Sequence, residues 1–314
     1  MMNQGRLISI IVPFYNEELS LNQLYQEISK EAERYNYELV FVDDGSADKG
    51  GAIINELMKK DKRVRLFTLR RNMGKSMALN IGFQNAQGDV VITMDADLQD
   101  DPREVSNFIK KIDEGYDLVN GWKINRKDPL EKKLASGFFN KFVSLITGIK
   151  LHDFNCGFKA YRKCVIKTIK VYGEMHRFIP ILANSYGFIM TEIPVHHNRR
   201  SYGKSKFGSE RYLHGFFDFL SAYFLLGYSR RPFHFIGVVG LLSLTLGSAL
   251  ILYSIMMKFC YGQTGIRPAF FAGLFFFTTA IQIIMTGFVA ELVIYGHQKK
   301  GSDDSVYIKE DTKS

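Results

Sequence analysis

The sequence predicts an α/β protein built on a parallel sheet, followed by a pair of membrane-spanning helices. Short β-rich runs alternate with helix-like stretches in the first third of the chain, and three of these runs lead directly into segments rich in carboxylates. Two long runs without a charged residue follow later. Such alternation is typical of a parallel sheet, and each uncharged run is long enough to cross a bilayer as a helix.

The predicted strands cover residues 7–13, 38–42, 64–69 and 89–94, and the helices between them cover residues 20–35 and 49–60. In sheets of this kind, ligands bind beyond the carboxyl ends of the strands. The segments PFYNEE, DDGSAD and DADLQDD follow three of the strands. Their loops are therefore expected to converge on one crevice.

The uncharged runs are residues 233–257 and 269–290, and the predicted spans are about 233–257 and 269–294, the second with one acidic residue, Glu291, near its end. Buried core helices are the alternative, but two such runs joined by a short loop favour a membrane hairpin. Basic residues lie outside the pair, at Arg211, Arg230, Arg231, Lys299 and Lys300, whereas the loop carries only Lys258 and Arg267. This bias predicts an integral protein of the inner or plasma membrane with both termini and the large domain in the cytoplasm.

We divide the chain into four parts. A cytosolic domain is predicted at 1–210, with an interface helix near 131–149; a juxtamembrane amphipathic helix at 208–231; the two spans at 233–295; and a cytosolic tail at 296–314. Both amphipathic patterns also suit ordinary helices that face a core. A position before a membrane span favours helices that dock on the bilayer.

Composition excludes several classes of protein. A hydrophobic content of 46% is too high for a disordered chain. The net charge of +9 suits nucleic acid or an anionic membrane surface, and the apolar runs favour the membrane, with no nucleic-acid partner. The three cysteines form no CxxC pair, so they predict neither a metal site nor structural disulfides. Self-association through the aromatic-rich spans stays open.

The strongest local signal for chemistry is the pair Asp95 and Asp97 at the end of a predicted strand. Two carboxylates with one residue between them can hold Mg²⁺ or Mn²⁺ and leave coordination positions open for phosphate oxygens. Acidic pairs are also common in surface turns and helix caps. In particular, Asp100 and Asp101 before Pro102 are expected to start a helix.

Other polar residues fit a nucleotide diphosphate. Asp43 and Asp44 close another strand and could accept hydrogen bonds from ribose hydroxyls or base N–H groups, although an Asx-type turn that caps the next helix is the alternative. An acid, Glu17, lies earlier in the chain, and a group of cations, Arg70, Arg71 and Lys75, lies further along. Together these residues indicate a crevice for a nucleotide diphosphate.

The segments VPFYNEE, FVDDGSAD, RRNMGKSMALN and MDADLQDDP, in this order and spacing, resemble the family 2 glycosyltransferases with a GT-A fold, over about the first 210 residues. The later segments GWKINRKDP, HDFNCGFKAYR and RRSYGKSKFG, followed by two spans, are similar to those of the polyprenyl-phosphate glycosyltransferases. That group includes dolichyl-phosphate mannose synthases and bacterial bactoprenyl glucosyltransferases, and the ending with two spans looks most like the bactoprenyl enzymes.

The resemblance implies a role for each matching residue. The nucleotide-sugar site would comprise Pro13, Tyr15, Glu17, Asp43, Asp44, Lys75, Asp95, Asp97 and Gln99, of which Asp95, Asp97 and Gln99 would hold Mg²⁺ or Mn²⁺. Asp153 matches the position often assigned to the catalytic base, and Asp97 is the other catalytic candidate. Because a polyprenyl phosphate is already ionised at neutral pH, Asp153 could instead orient the acceptor. A purely structural carboxylate is the remaining alternative.

The acceptor phosphate requires fixed cations. Candidates are Arg126, which could serve the donor diphosphate instead, and a compact cluster formed by Arg199, Arg200, Lys204, Ser205 and Lys206. A basic patch that only attracts anionic lipid headgroups is the alternative for this cluster, and the two roles can coexist.

These expectations combine into one predicted reaction. A hexose passes with inversion from a nucleotide sugar, UDP-glucose being favoured, to polyprenyl phosphate such as undecaprenyl phosphate at the cytoplasmic membrane face. Transfer of mannose or an amino sugar is an alternative, as is a catalytically silent membrane adaptor. A processive polysaccharide synthase is disfavoured, because those of this family usually carry a QxxRW-type motif and the one tryptophan here is Trp122.

Overall fold

The computed structural model describes residues 5–124, 137, 140–141, 143–145, 147–169, 171, 175–198, 232–261 and 268–298. The chain divides into two compact units, Met1–His214 and Gly215–Ser314. The predicted helix at 208–231 and most of the predicted tail lie outside the described residues, as does part of the predicted interface helix.

The first unit contains a sheet flanked by helices. Its strands are β1 (Leu7–Phe14), β2 (Asn36–Asp43), β3 (Val64–Thr68), β4 (Val90–Thr93), β5 (Leu118–Ile124), β6 (Lys159–Arg162) and β7 (Met190–His196). Its helices are α1 (Leu21–Ala32), α2 (Gly50–Lys60), α3 (Lys75–Asn85), α4 (Val105–Asp113), α5 (Lys163–Thr168) and α6 (Ile179–Ser185). The four strands and the first two helices predicted from the sequence are therefore confirmed.

The strands lie in the order β3-β2-β1-β4-β6-β5-β7. Strands β1 to β4 are mutually parallel, as predicted, but β6 runs antiparallel to both β4 and β5. β6 is not among the strands predicted from the sequence, and its direction makes the sheet mixed beyond β4. Because β6 starts at the edge where β4 ends, with Lys159 opposite Thr93, it carries the loop that precedes it to that edge.

The core is formed where helices cover the sheet, with α3 packed on β1 and β2 and α4 packed on β4, β5 and β6. The buried side chains of α1, Leu21, Leu24 and Ile28, recur at helical spacing, and α4 buries Val105, Phe108, Ile109 and Ile112 in the same way. Nearly every residue of β1 and β2 is buried, as expected of strands covered on both faces. This packing fixes the carboxyl ends of β1, β2 and β4 side by side.

The buried carboxylate of Glu38 joins four segments of the first unit. It lies near the amino end of β2, at the edge of the sheet opposite the carboxyl ends of β1, β2 and β4. It accepts hydrogen bonds from Ser9 Oγ at 2.5 Å, from Gln87 N–H at 2.6 Å and from Arg65 Nη1 at 2.8 Å. Removing the carboxylate leaves a buried hydroxyl and a half-buried guanidinium without their partner. Loss of one member of such a buried network is strongly destabilising.

Glu38→Ala is therefore expected to lower the free energy of unfolding by about 3 kcal/mol, measured by urea unfolding of the detergent-solubilised chain. Glu56→Ala is the matched control, because Glu56 forms only an exposed pair with Lys59, and it should leave the unfolding midpoint unchanged. Equal midpoints for both variants would contradict the assignment.

The contribution of Glu38 should depend on pH. Burial acts to raise the pKa of Glu38, but the hydrogen bonds from Ser9, Gln87 and Arg65 outweigh it and hold the pKa below its ordinary value of 4.5. The stabilisation is fully present above that ordinary value and is lost as the pH falls through the lower pKa of the folded chain. The difference in stability between wild type and Glu38→Ala should accordingly shrink in acid.

The second unit contains a helical hairpin, α7 (Pro232–Tyr261) and α8 (Pro268–Gln298). Both helices are long and apolar enough to cross a membrane, and only 11% of the most apolar window of each is buried. This exposure argues against the alternative of buried core helices. The helices meet at glycines: a Cβ on Gly247 would lie 2.6 Å from Phe277 N, and one on Gly273 would lie 2.9 Å from Gly247 O.

The acidic residue of the hairpin has a specific partner. Glu291 Oε2 accepts a hydrogen bond from Phe233 N–H at 3.3 Å. Phe233 lies in the first turn of α7, where backbone N–H groups have no partner within the helix and the helix dipole favours negative charge. Glu291 therefore joins the start of α7 to the last part of α8.

Candidate active site

The three carboxylate-rich segments meet at one edge of the sheet, as predicted. β2, β1 and β4 are neighbours and run in the same direction, so the residues that follow them leave the sheet at a common edge. β5 also ends at this edge, while β6 begins there. This arrangement builds a site from the ends of five adjacent strands.

The loops after β1 and β2 are joined by hydrogen bonds. Asn16 N–H donates to Ser46 Oγ at 2.9 Å, and Asn16 Oδ1 accepts from Ala47 N–H at 2.8 Å. Asn16 adopts a φ of 52°, a conformation that asparagine tolerates better than most residues. Of the predicted nucleotide-contacting residues, Pro13 lies near the end of β1, and Tyr15 and Glu17 lie on this braced loop; each of the three is partly buried.

Asp43 lies at the end of β2 and is buried. Its Oδ1 accepts from Ser46 N–H at 2.8 Å, so the turn that was the alternative to nucleotide binding is formed. A carboxylate has about four lone-pair positions, and this turn uses one of them. Its contact with a nucleoside stays a prediction.

Asp44 faces the loop between β3 and α3. Its two oxygens accept from Met73 N–H at 2.7 Å and from Gly74 N–H at 2.9 Å. Burial raises the pKa of Asp44, and these two hydrogen bonds oppose the rise. The structure therefore gives Asp44 a role in shaping this loop, while its contact with the nucleotide stays a prediction.

Gly45 allows the two loops to approach. It has a φ of +71°, and a Cβ there would lie 2.5 Å from the backbone carbon of Arg71. Only glycine satisfies both conditions without strain. The result is that the loop of residues 70–74 is held against the end of β2 and presents Lys75 at the start of α3.

Lys75 forms an ion pair with Asp95, the first carboxylate of the DxD pair. Burial acts to raise the pKa of Asp95, but the ammonium groups of Lys75 and Lys123 outweigh it and hold the pKa below its usual range. Asp95 is thus an anion at neutral pH, with 27% of its side chain exposed. It can exchange a lysine partner for a cation brought by a ligand.

A tight turn follows Asp95. Leu98 has a φ of 61°, and Gln99 N–H donates to Asp97 Oδ1 at 3.2 Å. Asp100 is buried, its Oδ2 accepts from Asp95 N–H at 3.0 Å, and its Oδ1 lies 3.8 Å from Lys123 Nζ. The expectation that Asp100 starts a helix is therefore wrong, because its carboxylate binds the backbone of Asp95 and so stabilises the DxD turn.

The companion residue, Asp101, behaves as expected. It precedes a short 3₁₀ turn, Pro102–Glu104, and accepts from Arg103 N–H at 3.0 Å. This capping leads the chain directly into α4.

Asp153 is 1% exposed and lies in the loop that β6 brings to the site. Its Oδ1 accepts from Asn155 N–H at 3.1 Å, and its backbone carbonyl accepts from Asn120 Nδ2 at 2.7 Å. Gly157 of the same loop packs on the metal motif, since a Cβ there would lie 2.6 Å from each carboxylate oxygen of Asp95. The loop of residues 153–157 is thus in contact with the DxD turn.

The donor set on the DxD turn suits a hard divalent cation. Asp95 and Asp97 offer carboxylates and Gln99 an amide oxygen, and oxygen ligands are those that Mg²⁺ and Mn²⁺ prefer. Within the described ranges, no three His, Cys, Asp or Glu side chains are grouped so that they could hold a metal by themselves. Such a site would leave positions for the oxygens of a diphosphate.

Several residues of the site were missed in the sequence. Lys123 lies near the end of β5, and Lys159 begins β6. Burial acts to lower the pKa of Lys123, but Asp100 and other anionic neighbours outweigh it and raise the pKa above its ordinary value. Burial lowers the pKa of Lys159 to about 8. His176 accompanies Ser76, with Nδ1 at 3.0 Å from the hydroxyl oxygen, and burial, with Lys75 nearby, lowers its pKa well below the ordinary value. The contacts of these three residues join elements that are distant in sequence. A lysine within an apolar strand was therefore the one feature of the sequence that could have pointed to them.

The candidate acceptor-binding residues are not placed by the structure. Arg126 and the cluster Arg199, Arg200, Lys204, Ser205 and Lys206 lie outside the described residues. The described chain reaches Asn198, whose N–H donates to Gln99 O at 2.9 Å, and His197 forms a β-bridge with Asp100. The chain segment that precedes the basic cluster is therefore attached to the DxD turn.

Comparison with known proteins gives a consistent result. The family model described as Glycosyl transferase family 2 matches residues 9–170. A dodecaprenyl-phosphate galacturonate synthase of Rhizobium johnstonii is 34% identical over 98% of this chain and 93% of its own length. An undecaprenyl-phosphate 4-deoxy-4-formamido-L-arabinose transferase of Shewanella sediminis is 36% identical over 91% of this chain and 86% of its own length.

Solved structures support the fold. The glucosyl-3-phosphoglycerate synthase of Mycobacterium tuberculosis, crystallised with Mn²⁺ and UDP-glucose, superposes with a TM-score of 0.55 at 19% identity. The match covers 69% of this chain and 79% of that one. At this level of identity the likeness concerns the GT-A fold alone.

Proposed function

The chain belongs to glycosyl transferase family 2 and is a glycosyltransferase, and from that premise we propose that it transfers a hexose from a UDP sugar to a polyprenyl phosphate. The observation that carries the proposal is the convergence of Lys75, the DxD turn and the Asp153 loop at one sheet edge. The names of relatives that align over nearly the whole chain support the acceptor. A silent adaptor has no need for this set of charged groups.

The donor is bound through its nucleoside and its diphosphate. Asp43, at the end of β2, accepts from the nucleoside, and Lys75 leaves Asp95 to pair with the diphosphate. Asp95, Asp97 and Gln99 would hold the divalent cation, which would supply charge stabilisation to the departing diphosphate. The positive charges of Lys75 and Lys123 lower the pKa of Asp95 and so keep this carboxylate ionised for that role.

The acceptor attacks directly. An ionised phosphate oxygen of the lipid forms the bond to the anomeric carbon while the bond to the UDP oxygen breaks, so the configuration inverts. No proton has to be removed, and Asp153 orients the acceptor or stabilises the developing positive charge of the sugar. In this proposal Arg126 and the cluster of residues 199–206 bind the acceptor phosphate. The cluster begins at the residue after Asn198.

A lipid acceptor requires a membrane location. The α7–α8 hairpin supplies two helices of suitable length and composition, and the excess of basic residues outside the hairpin favours cytoplasmic termini and a cytoplasmic catalytic domain. In this arrangement the donor is taken from the cytoplasm and the acceptor from the membrane. The juxtamembrane basic residues add attraction to anionic headgroups.

The sugar itself is the least constrained part of the proposal. UDP-glucose stays the prediction from the sequence, whereas the names of the relatives contain galacturonate and 4-deoxy-4-formamido-L-arabinose. The arabinose derivative is a pentose, so a product from that donor would replace the hexose in the proposal and leave the reaction type unchanged. The residues named above contact the nucleotide and phosphate rather than the sugar hydroxyls. Donor choice is therefore a matter for direct measurement.

The test is a panel of donors incubated with the detergent-purified chain, undecaprenyl phosphate and Mn²⁺. The panel contains UDP-glucose, UDP-galactose, UDP-galacturonate, a UDP-formamidoarabinose and GDP-mannose, and the lipid extract is analysed by mass spectrometry. We expect one UDP sugar to give a lipid-linked product. A product from GDP-mannose alone would overturn the UDP assignment, and no product from any donor would overturn the proposed acceptor.

A further inference from the structure

A buried lysine, Lys159, lies close to Asp95 and Asp153 of the proposed site. It is the first residue of β6 and is paired with Thr93 of β4, two residues before Asp95. It is 2% exposed. A lysine almost never lies so deep in a protein without partners for its ammonium group.

The partners of Lys159 are backbone carbonyls of the loop that precedes it. Its Nζ donates to Phe154 O at 3.3 Å and to Cys156 O. Both carbonyls therefore turn inward, away from solvent, toward a single cation. Without that cation they would be buried acceptors left without a donor, which is costly.

The turn held in this way joins the two halves of the site. Asp153 begins it, and Asn120 supports it by donating to the Asp153 carbonyl at 2.7 Å. Gly157 ends it, packed against both carboxylate oxygens of Asp95. Any shift of residues 154–156 moves Asp153 and Gly157, and through Gly157 it reaches Asp95.

We propose that Lys159 is a positioning residue, which fixes the turn of residues 153–157 so that Asp153 keeps its place relative to Asp95 during sugar transfer. The inference rests on the proposed function for the reaction it serves. Lys159 does not touch substrate in this account. It acts through Asp153 by holding the carbonyls that follow it.

The charge balance around Lys159 is consistent with this role. Burial lowers the pKa of Lys159 to about 8, while Cys156, Asp153 and Asp95 act to raise it and Lys75 acts to lower it further. At pH 7 the group is mainly protonated, and two of its three N–H donors serve the two carbonyls. An apolar side chain of similar length, such as that of methionine, offers none.

Kinetics give the first test. Lys159→Met is expected to lower kcat by about 10²-fold, the cost of a misplacement near 1 Å. The KM for the donor should change by less than about threefold, because the loops that carry Asp43 and Lys75 are untouched. Lys159→Arg keeps the charge and N–H donors and should retain at least about ten times the kcat of Lys159→Met. Equal losses in both variants, or a loss confined to KM, would overturn the proposal.

A double-mutant cycle with Asp153→Asn tests the coupling. If Lys159 acts through Asp153, the double variant is about as slow as the slower single variant; multiplied losses would show independent action and overturn the proposal. If Lys159→Met does not fold, the cycle is run with Lys159→Gln, whose shorter, uncharged side chain also removes the ammonium group.

Hydrogen exchange followed by mass spectrometry needs no substrate and so separates this inference from the proposed function. We expect Lys159→Met to raise amide exchange in the peptide covering residues 153–158 and to leave β1 and β2 unchanged. Unchanged exchange in residues 153–158 would overturn the proposal even if the wild-type chain transfers sugar. Absence of transfer in the wild type with raised exchange in the variant would instead count against the function alone.

Discussion

Asp97→Asn is expected to lower the rate of sugar transfer by about 10³-fold. Asp97 lies on the turn after β4, where it accepts from Gln99 N–H at 3.2 Å. Asparagine has nearly the same shape and can still accept that hydrogen bond, so the turn should persist. What is lost is one anionic ligand for the divalent cation, and with it the stabilisation of the departing diphosphate.

The effect is measured as initial rates at saturating donor over a range of Mn²⁺ concentrations. Asp113→Asn is the matched control, because Asp113 forms a surface ion pair with Arg6 at 2.8 Å and is 53% exposed. This control should keep the wild-type rate. A rate for Asp97→Asn within tenfold of the wild type would show that Asp97 is not a ligand of the essential cation.

Gly157→Ala should produce the second large effect, a loss of about 10²-fold in rate. A Cβ on Gly157 would lie 2.6 Å from each carboxylate oxygen of Asp95, closer than real Cβ contacts allow. Gly157 is not among the glycines with positive φ, so the loss has to come from this contact rather than from backbone strain. Either Asp95 moves or the loop that carries Asp153 is pushed away.

A metal titration distinguishes this mechanism from general damage. Gly157→Ala should require more Mn²⁺ for half-maximal rate, because its Cβ displaces a ligand, and it should unfold at nearly the same temperature as the wild type. Gly5→Ala is the control, since no atom lies within 4 Å of its Cβ position. Wild-type rates and metal dependence in Gly157→Ala would mean that the contact with Asp95 is not important for the reaction.

Much of the fold followed from local sequence pattern. Strands β1 to β4 are runs of apolar residues between turn signals, and such runs predict strands whether or not their neighbours are known. The convergence of the DDGSAD and DADLQDD loops followed from the general geometry of parallel sheets. The direction of β6 could not be predicted in this way, because it depends on pairing with β4 across residues distant in sequence.

The same limit applies to the site. Asp95 and Asp97 were found because two carboxylates after a strand form a recognisable local pattern. The contacts of Gly157 with Asp95, of Lys159 with the Asp153 loop, and of His176 with Ser76 join residues from different elements. Local pattern also could not separate Asp43 from Asp44, although the structure directs Asp44 to the backbone of residues 73 and 74.

The most direct test of the central claim is the balance between the two products. Purified chain is incubated with its UDP sugar, undecaprenyl phosphate and Mn²⁺, and released UDP and lipid-linked sugar are quantified together. The proposed displacement predicts equal amounts of both, and loss of both in Asp97→Asn. Release of UDP without lipid-linked sugar would contradict the claim, because it would make water rather than a lipid phosphate the acceptor.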